Sequence, residues 1–248
     1  MRGSNPTLRE DVFHRVAVTG HDSSATMTVN GVIMKSSLLL LFLLAGASYT
    51  WYMVASNPAQ PEVWMPWLLG SLIVGFILGL VISFVPKTAS FLSPVYAVAQ
   101  GVFLGALSSM LNQRYEGIAL MAVALTMGVF VSMLLAYRAG LIKATEKFKS
   151  VVIACTLGIV VTYGLTLLLG LFGVQVPYIH SSGPIGILFS LFCITIASLN
   201  LIIDFDFIEQ MQALGAPKAT EWYASFGLLV TVVWLYIEIL RLLAKLRR

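Results

Sequence analysis

The chain has 248 residues, of which 58% are hydrophobic and 10% charged, with a mean hydropathy of +0.91 and a formal net charge of +4. Soluble proteins carry about 25% charged residues, so a water-soluble globule and a disordered chain are both excluded. Cys155 and Cys193 both lie inside apolar runs, which excludes a disulfide scaffold. The composition is that of a polytopic membrane protein.

Residues 1–35 hold Arg2, Arg9, Glu10, Asp11, Arg15, Asp22 and Lys35 among many Ser, Thr and Asn. They predict a polar N-terminal tail rather than a signal peptide, because no short apolar core with a small-residue cleavage site follows the basic residues. From Ser36 onward come apolar runs of about 20 residues, the length that crosses about 30 Å of hydrocarbon as a helix. In lipid each run must be helical, since only a helix satisfies its own backbone polar groups. Seven spans are predicted, at 36–55, 64–85, 91–111, 117–137, 150–172, 184–205 and 223–243. The 54 residues 150–203 lack Asp, Glu, Lys and Arg, so the turn between spans five and six is read from Gln175, Pro177, His180, Ser181, Ser182, Gly183 and Pro184.

Lys and Arg in the eight non-membrane segments number 4, 0, 1, 1, 4, 0, 1 and 4 in chain order. A cytoplasmic N-terminus with seven crossings places ten of these charges inside and five outside, as the positive-inside rule favours. If the last segment instead dipped in and returned, the split would be 14 to 1; its length favours a crossing. This bias accounts for the net charge, and no nucleic-acid partner is implied.

Gly75–Gly79 and Gly101–Gly105 are small-xxx-small pairs suited to close helix packing. Gln100, Ser108 and Asn200 are predicted interhelical hydrogen bonders. His14, His21 and His180 fall outside the spans, so an intramembrane Ser-His protease has no base. No P-loop, dinucleotide fingerprint, His-Glu-x-x-His or clustered Cys/His motif is present, and the sequence reads as non-enzymatic, without a cofactor.

Five of the eleven carboxylates lie after residue 203, and Asp204, Asp206 and Glu238 touch apolar spans. An ionisable group in a span costs several kcal/mol and marks an ion path, a proton site or a paired polar core. Two acids brought close repel, so such a pair shares a proton or holds a cation. Two simpler readings stand beside this. Asp204 and Asp206 could end the sixth helix at the interface, and Glu238 and Arg241, at i, i+3 spacing, could neutralise each other. Thr231, Glu238 and Lys245 fall on one seven-residue stripe, a polar face for a bundle interior or for headgroups.

Three segments, 84–108 (F-V-P-K-T-A-S-F-L-S-P-V-Y-A-V-A-Q-G-V-F-L-G-A-L-S), 200–210 (N-L-I-I-D-F-D-F-I-E-Q) and 221–243 (E-W-Y-A-S-F-G-L-L-V-T-V-V-W-L-Y-I-E-I-L-R-L-L), resemble the bacterial branch of the Bax inhibitor-1 (transmembrane Bax inhibitor motif, YccA-like) family. The resemblance implies an all-α membrane protein, a seven-transmembrane-helix bundle with the last helix central. It also implies a pH-sensitive calcium leak in a bacterial inner membrane. The implied gate is a pair of acids: Asp206 after Phe205, with Asp204 as its neighbour, and Glu238 after Leu235-Tyr236-Ile237. Asp206 and Glu238 are then the candidate ligands for calcium, and the partners are the bilayer and cations, calcium or protons. Arg241 and Lys87 are the candidate charge partners. The second acid is Glu where the family's pattern has Asp, and 32 positions separate it from Asp206. A non-conducting regulator that binds membrane proteases or other membrane proteins is the alternative.

Overall fold

A computed structural model describes residues 26–173 and 182–247. His14, His21 and His180, with most of the polar tail and of the turn expected between spans five and six, lie outside the described residues. Among those described, seven helices are long and apolar enough to cross a membrane, an all-α seven-helix bundle. They are α1 (Val29–Ser56), α2 (Pro61–Phe84), α3 (Ala89–Arg114), α4 (Ile118–Arg138), α5 (Glu146–Leu171), α6 (Pro184–Ala213) and α7 (Thr220–Leu246), with a single 3-10 turn, Pro86–Thr88, before α3. At 21 to 30 residues each reaches about 30 Å or more at 1.5 Å per residue.

Two helices depart from the reading of the spans. α1 starts at Val29, because Thr28 caps it by accepting from the Gly31 amide at 2.9 Å. Lys35 is therefore a helical residue, and it is buried. α6 does not stop near Asp204 but continues to Ala213, where Gly215, at φ 65°, takes the left-handed conformation that ends a helix at no steric cost.

The chain forms two compact units. The first contains α1, α2, α3 and residues 206–230, the last turns of α6 and the first of α7. α1 and α3 pack at backbone contact: a Cβ on Gly101 would overlap the Leu43 carbonyl, and Thr50 Oγ1 donates across to the Val102 carbonyl at 2.8 Å. Gly105 faces Ala47 in the same way, while Gly75 and Gly79 on α2 face Gln100 and Tyr96. Met27 packs with Val32, Ile208, Met211, Ala216 and Ala224 in a small core, and its amide donates to the Ala216 carbonyl at 2.7 Å.

The second unit contains α4, α5, α6 through Phe205, and α7 from Thr231. Its core joins Val152 and Ile159 of α5 with Cys193, Ile196 and Ile203 of α6, and Trp234 packs against it. Asn200 bridges α6 to α5 by donating to Thr156 Oγ1 at 2.9 Å. Both cysteines are free thiols. Half of α7's most apolar window is buried, the largest share among the seven helices, whereas α5 buries 11%.

Candidate functional site

Glu238 lies in the C-terminal half of α7 with apolar residues on both sides and is 1% exposed. A carboxylate there needs partners, because lipid offers none. Tyr163 of α5 donates its hydroxyl to Glu238 Oε1 at 2.9 Å. Arg241 reaches back one turn, with Nη1 3.3 Å from Oε1 and 3.5 Å from Oε2. The same guanidinium donates to the Tyr163 hydroxyl and stands 4.9 Å from the centre of its ring. Three groups from two helices thus close on one another, with the phenol as the bridge. The local neutralisation that i, i+3 spacing allows is present, and Tyr163 extends it to a second helix.

Lys245 continues the stripe. It is buried in the last turn of α7, and Nζ donates to the Gly186 carbonyl at 2.8 Å and to Ser190 Oγ at 2.9 Å, both on α6. Cys193, one turn beyond Ser190, has its sulfur 3.8 Å from the Tyr163 hydroxyl. Thr231, Glu238 and Lys245 are all buried. Within this unit the stripe is interior rather than headgroup-facing.

Asp204 and Asp206 diverge. Asp204 is hydrogen-bonded by Thr231, and its Oδ2 is buried with no hydrogen-bond partner. Asp206, two residues on, accepts from Gln210 one turn later at 2.6 Å in an exposed setting. Asp204 belongs to the same unit as Glu238, and Asp206 to the other. Thr231 precedes Glu238 by seven residues, about 10 Å of helix, so Asp204 and Glu238 are held at separate levels of α7. Lys87 is exposed in the 3-10 turn. Among the described residues no group of three or more His, Cys, Asp or Glu side chains is gathered for a metal ion.

The first unit holds a second buried charge pair. Lys35 forms a salt bridge with Glu221, which is 1% exposed. Glu221 Oε1 also accepts from the Thr28 amide at 3.0 Å and from the Thr28 hydroxyl at 3.2 Å. Glu221 thus stands at the N-terminal ends of two helices, its own α7 and α1, where backbone amides and the helix dipoles favour a negative charge. Gly31 leaves the room for it, since a Cβ there would collide with the carboxylate. Ser225 adds a bond to the Val32 carbonyl at 3.1 Å, and the Lys35 ammonium stands 5.4 Å from the centre of the Trp222 ring. Neither member of this pair is conspicuous in the sequence: each borders a polar segment, and 186 positions separate them.

Seven apolar helices with buried, partnered charges define a multi-pass integral membrane protein in contact with the bilayer. A family model described as Bax inhibitor 1 like matches residues 5–248, and the chain belongs to that family. Neither the curated proteins nor the solved structures compared with the chain gave a match.

Proposed function

We propose that the protein passes or senses cations across a bacterial inner membrane under proton control, with its N-terminus cytoplasmic and Glu238 as the protonatable element. The observation that carries this is the buried Glu238 carboxylate held by Arg241 and Tyr163. Deprotonated, Glu238 holds the guanidinium beside it and accepts from the Tyr163 hydroxyl, which closes the α5–α7 contact. Protonated, it loses its charge, the attraction to Arg241 disappears, and the latch is released. Asp204, with its buried unpartnered oxygen, is the α6 acid that best suits a place on the same path; Asp206, satisfied by Gln210, suits it less. Because the Thr231 contact sets Asp204 about two turns from Glu238, the acids act in series rather than by sharing one proton. Calcium enters as a candidate cargo through the family likeness; among the described residues no group of three or more His, Cys, Asp or Glu side chains is gathered to retain it.

In liposomes, the wild type should leak cations faster at pH 6 than at pH 8. Glu238→Gln, a mimic of the protonated state, should leak at a rate independent of pH across that interval. A pH response in Glu238→Gln equal to the wild type's would overturn the assignment.

A second reading, a non-conducting regulator of membrane proteases or other membrane proteins, has one observation behind it. The root of the tail is fastened to the α6–α7 connector by the Met27–Ala216 bond and to the first turn of α7 by the Thr28–Glu221 contacts. A partner pulling on the tail would load that connector. Deleting residues 2–25 spares these contacts; a conducting protein keeps its leak, whereas an adaptor loses its partner.

A further inference from the structure

We propose that the connector between α4 and α5, with the helix ends that flank it, binds the headgroups of anionic phospholipids. Residues 138–149 hold Arg138, Lys143, Lys147 and Lys149 against Glu146 alone, four positive charges to one negative. Glu146 is engaged by Lys149 at 3.5 Å. Arg138, Lys143 and Lys147 are exposed, and among the described residues their side chains have no hydrogen-bond or ion-pair partner. The other connectors differ: the α2–α3 connector holds Lys87 alone, and the α6–α7 connector holds Lys218 three residues before Glu221.

The helices on either side say what meets these charges. On α4, Val131 and Leu135 are 50% and 62% exposed, and Arg138 follows Leu135 by three residues on the same face. On α5, Val151 is 62% exposed, and Lys147 precedes it by four residues. Each basic residue therefore tops a lipid-facing apolar stripe, where its carbon stem lies along acyl chain and its charge reaches the phosphate level. Between them Gly140, at φ 69°, turns the chain sharply, and the Leu141 amide donates back to the Ala136 carbonyl at 3.0 Å. That turn leaves Leu141 79% exposed at the end of a membrane-spanning helix, an apolar anchor beside basic residues. A net positive surface continuous with acyl-chain contacts fits a lipid whose headgroup is anionic, and discriminates against a zwitterionic one, whose own cation opposes the attraction.

The test titrates phosphatidylglycerol and phosphatidylcholine into the full chain in detergent and reads bound lipid by native mass spectrometry. The wild type should bind phosphatidylglycerol more tightly than phosphatidylcholine. Lys147→Gln, a single exposed side chain, should weaken phosphatidylglycerol about fivefold. The triple substitution Arg138→Gln, Lys143→Gln, Lys147→Gln should weaken it about tenfold or more and leave phosphatidylcholine unchanged. Lys87→Gln with Lys218→Gln, which removes charge from other connectors, should bind as the wild type does. Equal affinities for the two lipids, wild-type binding by the triple variant, or an equal loss in the Lys87–Lys218 variant overturns the proposal. So does displacement of the lipid by millimolar glycerol phosphate, which would make this a site for free anions.

Discussion

At the scale of single residues, buried charges in this chain are held by partners that differ in kind. Glu221 has an ammonium, two donors from Thr28 and two helix N-termini around it. Its environment suits a permanent anion. Removing one member of such a pair leaves the other buried and uncompensated, at about 3–5 kcal/mol. Glu221→Gln and Lys35→Met should each lower the melting temperature in detergent, and the double substitution should cost less than the sum of the two. Strict additivity in this cycle, followed by circular dichroism, would mean the pair is not coupled. Glu238 differs: its ion pair is local, one turn along its own helix, and its remaining bond comes from a neutral phenol. That arrangement tolerates a change of charge better.

At the scale of elements, helix packing follows where glycines meet backbone. The Gly101 surface of α3 admits α1 at backbone contact, while Gly164 on α5 has open space around it. Gly101→Val should therefore destabilise the protein by about 3 kcal/mol or more through overlap with Leu43. Gly164→Ala should be neutral or stabilising by up to about 1 kcal/mol, from helix propensity alone. Thermal unfolding of the two variants side by side checks the contrast; similar losses would contradict the α1–α3 packing.

The helices themselves were legible because lipid permits a 20-residue apolar run hardly any other structure. Their ends were not. Lys35 beside an apolar run reads as a flanking charge, and only a carboxylate 186 residues away turns it into an interior one. Likewise α6 extends past Asp204 because its last turns pack Ile208 and Met211 against Met27, a contact invisible to a hydropathy window. Of the site, Glu238, Arg241 and the Thr231–Glu238–Lys245 stripe could be read from spacing along one helix. Tyr163 and Ser190 could not, since each looks like an ordinary residue of an apolar span until α7 is packed beside it.

At the scale of the whole molecule, a seven-helix membrane protein of the Bax inhibitor 1-like family spends almost all its sequence on apolar surface. The central claim is that Glu238 is the acid whose loss of charge releases Arg241 and Tyr163. Infrared difference spectroscopy of the protein in liposomes reads this directly, as a protonated-carboxyl band that grows on acidification. The account predicts a band that is present in the wild type and lost in Glu238→Gln, while Asp206→Asn retains it. A band of undiminished intensity in Glu238→Gln would place the titrating acid elsewhere and contradict the account.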